Sequence, residues 1–115
     1  MKKAKTRKSS GSVAALSRTI RAEIAELPGV KASPRSFRIG QKIFVRFTEK
    51  PNHVLLEFTL SSDEAAHATR HAFVQPMEFG GMGRHGWVEV AATRASQLPV
   101  IRRLIGLSYA LYRQP

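Results

Sequence analysis

The stretch Lys31–Lys50, KASPRSFRIGQKIFVRFTEK, decides how the chain folds, because two periods run through it at once. Its basic residues Lys31, Arg35, Arg38, Lys42, Arg46 and Lys50 recur at steps of three or four, a helical spacing. Its apolar residues Phe37, Ile39, Ile43, Val45 and Phe47 all occupy odd positions, a strand spacing. A helix would have to carry Pro34 and Gly40 inside it, at about 3 and about 1 kcal/mol relative to alanine. The surrounding residues are β-branched and aromatic types that suit a pleated surface. The segment therefore reads as a β-hairpin. Arg38, Lys42, Arg46 and Lys50 then share the parity opposite to the apolar set, giving a greasy inner face and a cationic outer face, with Phe44 standing among the cations. Directly opposed residues of a hairpin share a face. Keeping Ile39 with Ile43 thus predicts an odd loop, most simply Gly40-Gln41-Lys42, whereas a Gly40-Gln41 turn would set Ile39 opposite Lys42 and mix the faces.

The chain as a whole has 115 residues, enough for one domain with a single core, and 43% of them are hydrophobic. It has no cysteine, which excludes disulfides, thiolate metal ligands and thiol catalysis. The net charge is +11. Lys2, Lys3, Lys5, Arg7 and Lys8 supply five of the nineteen basic residues; the remaining fourteen against eight acids leave +6 on the rest. Such a balance favours polyanionic partners, with nucleic acid, and DNA in particular, first among them. Residues 1–11 read as a basic flexible arm and 12–115 as a single domain. The arm resembles the basic start of a signal peptide but no apolar segment follows it, and no apolar run approaches membrane-spanning length. The expected location is cytoplasmic.

Beyond the arm, Val13, Leu16, Ile20, Ile24 and Leu27 step by three and four along one helix face, which Pro28-Gly29 stops. Arg18 and Arg21 lie off that face and read as solvated charges. After the hairpin and a turn at Glu49-Lys50-Pro51-Asn52, a strand from His53 to Leu60 buries Val54, Leu56, Phe58 and Leu60. It turns Glu57 outward, where the carboxylate can neutralise part of the cationic face. Ser61-Ser62-Asp63-Glu64 is a capping box opening a short helix to about Arg70. His67 and His71 are four apart with Glu64 on the same side, a set that could bind zinc. Without an HExxH motif or a further ligand nearby, an ordinary helix surface is the stronger reading, and no metal site is assigned. Phe73–Phe79 reads as an edge strand or a bulged one, because Pro76 interrupts it. The glycine-rich Gly80–Gly86 loop carries Arg84 and His85 and lacks the P-loop pattern. Trp87–Ala92 is a fifth strand. A final helix from Ser96 or Gln97 buries Leu98, Ile101, Leu104, Ile105, Ser108, Leu111 and Tyr112. The expected fold is thus α+β and two-layered: a five-stranded antiparallel sheet with helices on one face, in the order α-β-β-β-α-β-β-α.

Several of these pieces resemble the MmcQ/YjbR family: Gly40-Gln41-Lys42-Ile43-Phe44, the strand-to-helix run with a Glu and a His near Phe73, Gly86-Trp87-Val88-Glu89-Val90, and Leu107-Ser108-Tyr109. The resemblance extends from about Ala14 to Leu111. The long Gly80–Gly86 loop and the basic N-terminal arm depart from it. It implies an α+β fold related in shape to secretion-chaperone-like domains and a DNA-binding role by likeness to double-wing DNA-binding domains. It supplies no catalytic residues.

Together these features point to a small non-enzymatic DNA-binding domain that uses no cofactor. Its expected nucleic-acid contacts are Arg35, Arg38, Lys42, Phe44, Arg46, Lys50 and Arg84. The cations would hold phosphates; Phe44, if exposed, would stack on a splayed base or wedge at a base step, and otherwise it is a second-layer core residue under a helix. The alternative is a protein-interaction module of secretion-chaperone-like shape, for which a broad apolar patch on the open sheet face would speak.

Overall fold

Val13, Leu16, Ile20 and Ile24 are all buried on one stripe of the first helix, as their spacing predicts. In the computed structural model, which describes the backbone of residues 2–77 and 86–113 and side chains from Val13 onward, this helix, α1, spans Lys2–Ala25. Residues 2–11, the basic segment of the sequence, form its first turns ahead of the buried stripe. The strands are β1 (Val30–Ser33), β2 (Ser36–Ile39), β3 (Lys42–Glu49) and β4 (Val54–Thr59). They are followed by α2 (Ser62–Ala68), β5 (Val74–Pro76) and β6 (Trp87–Ala92), then a short 3₁₀ turn over Ala95–Gln97 and α3 (Leu98–Arg113). The fold is α+β, with one six-stranded antiparallel sheet in the spatial order β1-β2-β3-β4-β6-β5 and three helices. The element order is α-β-β-β-β-α-β-β-α. Among the described residues no helix is long and apolar enough to cross a membrane.

The sheet has one strand more than the sequence predicts. Val30–Ser33 is a separate strand, β1, folded back on β2 with Ser33 opposite Ser36. The intervening Pro34-Arg35 makes a two-residue turn, a place where proline's fixed φ is an advantage and its missing N–H costs nothing. Edge strand β5 ends at Pro76, where a residue without an N–H is tolerated.

One cross-strand row, Ala32-Phe37-Val45-Phe58-Val88, marks the inner side of the sheet. Phe37, Val45, Phe47, Val54, Leu56, Phe58, Val88, Val90 and Ala92 join Ile20 and Ile24 of α1, Ala68 of α2 and Ile101, Leu104 and Ile105 of α3 in a single core. The opposite parity on β4 and β6, including Leu55, Glu57, Trp87, Glu89 and Ala91, is only half-buried.

The hairpin departs from its predicted register at the tip. Gly40-Gln41 forms a two-residue turn with Ile39 directly opposite Lys42, so the odd loop is not what forms. Gly40 has φ +62 and no non-glycine residue in the described chain has positive φ, which matches a type II′ turn with glycine at its first central position. Such turns match the twist of the strands they join. The parity conflict is then resolved by a one-residue bulge: Arg38 opposes Ile43, but Phe37 opposes Val45, and Phe44 is the extra residue. Phe44 and Val45 are consecutive, and both are fully buried. Burying a phenylalanine ring stabilises by roughly 2–3 kcal/mol, against about 1 kcal/mol for a ladder hydrogen bond lost at the bulge. The bulge wins.

Two glycines separate backbone strain from steric contact. Gly86, at φ +84, lies so close to the chain just beyond β4 that a Cβ there would sit 1.9 Å from the Leu60 carbonyl oxygen, whereas a Cβ on Gly40 meets nothing within 4 Å. Gly86→Ala is expected to destabilise by at least about 2 kcal/mol and Gly40→Ala by only about 1 kcal/mol. Urea unfolding of both variants measures the difference.

Candidate nucleic-acid interface

The bulge redistributes the predicted cations. On the sheet face away from the helices, Lys31 of β1 lies opposite Arg38 of β2, and Ser36 lies opposite Arg46 of β3. Lys31, Arg38 and Arg46 are all exposed. Arg35 is exposed in the β1–β2 turn, which is tied down by its carbonyl accepting from the Phe47 N–H at 2.9 Å. Arg38 reaches over the neighbouring turn, its Nη1 donating to the Gln41 carbonyl at 3.4 Å.

Three predicted contacts do not join this patch. Lys42, set opposite Ile39, falls on the helix side of the sheet, because the two-residue turn flips its parity. Lys50 lies just beyond β3, its N–H donating to the His53 carbonyl at 2.8 Å. Phe44 is fully buried, its ring edge-on to Tyr109 at 5.8 Å and Tyr112 at 5.6 Å, so it has no face to offer a base. Arg84 and the Gly80–His85 part of its loop lie outside the described residues. The sequence signal thus marks a basic hairpin, and the structure gathers Lys31, Arg35, Arg38 and Arg46 from it.

The patch has an acidic border. Glu57 stands directly opposite Arg46 and Glu89 directly opposite Glu57, with Gln75 at the end of the row. Register alone does not make a salt bridge: among the described residues the one ion pair is Arg102–Glu23. Like charges directly opposed across strands are unfavourable, so Glu57 and Glu89 make a negative stripe on β4 and β6 whose nearest cation is Arg46, across the strand from Glu57.

Arg21 has a role its spacing did not reveal. Its guanidinium lies over the rings of Phe47, at 4.5 Å, and Phe37, at 5.4 Å. It donates to the Ser33 carbonyl at 3.1 Å and also to the Pro34 carbonyl. It therefore clamps the β1–β2 turn, and with it Arg35, onto α1; Arg18 remains exposed. At the other end of α1, Tyr109 donates to the Pro28 carbonyl and accepts from Arg113 at 3.1 Å, fastening α3 to the turn that precedes β1. Neither clamp has a local signature, since each joins residues distant in sequence.

Ser61 caps α2 as expected, its Oγ accepting from the Glu64 N–H at 3.3 Å, but the Glu64 carboxylate reaches back to the Ser61 hydroxyl, which donates to it at 3.0 Å, instead of to the Ser61 backbone N–H of a full capping box. The helix ends at Ala68, so His71 falls beyond it and packs against Phe73 at 5.5 Å. His67 Nδ1 faces the Asp63 carbonyl at 3.0 Å. His67 and His71 line one groove with Asp63 and Glu64, but among the described residues no three His, Cys, Asp or Glu side chains are grouped so as to hold a metal ion.

On the helix side, Arg102 grips Glu23 through Nε at 2.9 Å and Nη2 at 2.8 Å. These hydrogen bonds hold the Glu23 carboxyl below its ordinary value, against a smaller opposing effect of burial and with help from the Arg102 charge. No family model, curated protein or solved structure matches the chain.

Two expectations follow from these contacts. Arg21→Ala should lower stability by about 2 kcal/mol, from the lost cation–π and charge-assisted hydrogen bonds, while Arg18→Ala should change it little; urea unfolding compares them. For Glu23 the unfolded chain takes up the proton at a higher pH than the native state does. The pair's stabilisation is therefore present above about pH 4.5 and is lost as pH falls through the lowered native value. Side chains 52% and 37% exposed keep that effect small by solvent screening. Glu23→Gln should remove the corresponding acid-side loss of melting temperature.

Proposed function

We propose that the protein is a non-enzymatic DNA-binding domain of MmcQ/YjbR type. Its phosphate contacts are made by Lys31, Arg35, Arg38 and Arg46, and the basic Lys2–Lys8 segment adds attraction without sequence preference. One observation carries this reading. Lys31 and Arg38 are cross-strand neighbours, and Arg46 sits a step along the same face. Such neighbours and diagonals lie within about 8 Å of each other, and none of the three has an ion-pair partner among the described residues. Contacts of this kind position a duplex and carry little sequence information.

The acidic border supports a directional track. A polyanion lying on this face is drawn to β1–β3 and repelled from Glu57 and Glu89, so the backbone would follow the outer three strands. The residues behind the family resemblance bear on the fold: Gly40 makes the hairpin turn, Phe44 fills the bulge, Gly86 admits the Leu60 carbonyl and Tyr109 holds Pro28. The DNA-binding role follows from them by analogy. The interaction-module reading asks for a broad apolar patch. The centre of the open face instead alternates Leu55 and Ala91 with Glu57 and Glu89.

Fluorescence anisotropy of a DNA duplex over a salt series tests the proposal. Arg38→Ala and Arg46→Ala should each weaken binding several-fold and flatten the slope of log affinity against log salt by about 0.9. Lys42→Ala, which removes the same charge from the other side of the sheet, should cost less. Equal losses for all three variants would reduce the interaction to attraction by net charge.

A further inference from the structure

The apolar sides of α1 and α3 leave space between them. Ile20, Ile24, Ile101 and Ile105 surround a cavity of about 150 Å³, with Gly106, Glu23 and Arg102 also in its wall. Gly106 and Arg102 are exposed and Glu23 is half-exposed, so these three mark its mouth.

Gly106 has no structural reason to be glycine. It lies inside α3, where glycine is about 1 kcal/mol less favourable than alanine. Its φ is not positive, and a Cβ built on it meets nothing within 4 Å. Its missing side chain leaves open space at this point of the cavity wall, which a larger side chain could occupy. The polar groups there are also unevenly used. Both Glu23 oxygens are taken by Arg102 Nε and Nη2. A guanidinium has five N–H donors, and among the described residues Arg102 Nη1 makes no hydrogen bond.

We infer that this cavity binds a small carboxylate with a compact apolar body, the body seated among the isoleucines and the carboxylate held by the free Nη1 edge of Arg102. Size limits the ligand to one ring or a short branched chain: a dry cavity of about 150 Å³ accepts benzene, whereas drug-sized ligands need roughly 300–1,000 Å³. Hydrogen bonding selects an acceptor group, since Arg102 Nη1 keeps its N–H donors free while Nε and Nη2 hold Glu23, and a carboxylate is the acceptor a guanidinium binds most strongly. The site lies in the helix layer, behind the sheet face assigned to DNA, and stands independently of that assignment.

Benzoate and toluene, titrated against the full chain with its isoleucine methyl groups labelled for NMR, test the inference. Benzoate should shift the Ile20, Ile24, Ile101 and Ile105 signals saturably and bind more tightly than toluene. Arg102→Gln should weaken benzoate about tenfold or more, as expected for a lost hydrogen bond to a charged group. Gly106→Leu should abolish the shifts without lowering the melting temperature. Should that variant misfold, Gly106→Ala serves instead, with a raised melting temperature and weaker benzoate binding. Absence of saturable shifts with either probe overturns the site. Benzoate shifts unchanged in the Gly106 variants would place binding elsewhere and also overturn it. Toluene binding as tightly as benzoate, with Arg102→Gln neutral, would leave a mere apolar void and overturn the carboxylate assignment.

Discussion

The bulge at Phe44 is the constraint on which the rest of the molecule depends. The alternation of Phe37, Ile39, Ile43, Val45 and Phe47 demands an odd number of residues between the two arms, yet a glycine at position 40 favours an even, two-residue turn. Both demands are met by placing the odd residue inside β3 instead of in the loop. The base of the hairpin keeps the register the hydrophobic pattern requires, and the tip takes the other one.

From that one insertion follow the packing of the helix layer and the pattern of charge. Phe44 turns inward and meets Tyr109 and Tyr112, so α3 is seated against β3 by aromatic contacts. Lys42 is carried to the helix side, while Lys31, Arg38 and Arg46 stay together outside. Arg21 then holds the β1–β2 turn from beneath, against Phe37 and Phe47. A residue that reads as a surface charge thus keeps the basic edge in place for the phosphates it is proposed to meet.

Where one period dominates, the sequence was a reliable guide. The three- and four-residue steps of Val13, Leu16, Ile20 and Ile24, the two-residue steps of Val54, Leu56 and Phe58, and the stripe through Ile101, Leu104 and Ile105 all turned out buried, while Leu27, Leu98, Leu111 and Tyr112, at the ends of their stripes, are half-buried. Local chemistry that spans a few residues was legible too, such as the Ser61 cap of α2 and the edge position of Pro76. What escaped was of two kinds. β1 is four residues, VKAS, too short and too mixed for alternation to stand out. The bulge and the Arg21 and Tyr109 clamps depend on which distant residues meet, and a single chain read by period carries no signal for that. The basic character of the candidate interface was legible. Its membership was set by the bulge, which removed Phe44 and Lys42 and left Lys31, Arg35, Arg38 and Arg46.

The proposed DNA track runs along the outer face of β1–β3. A titration of the ¹⁵N-labelled chain with a DNA duplex, followed by amide NMR, tests it most directly. The largest shifts are expected at Lys31, Arg35, Arg38 and Arg46, with little change at Glu57, Glu89 or the exposed side of α3 around Arg103. Shifts centred on α3, or spread evenly over every basic residue, would contradict it.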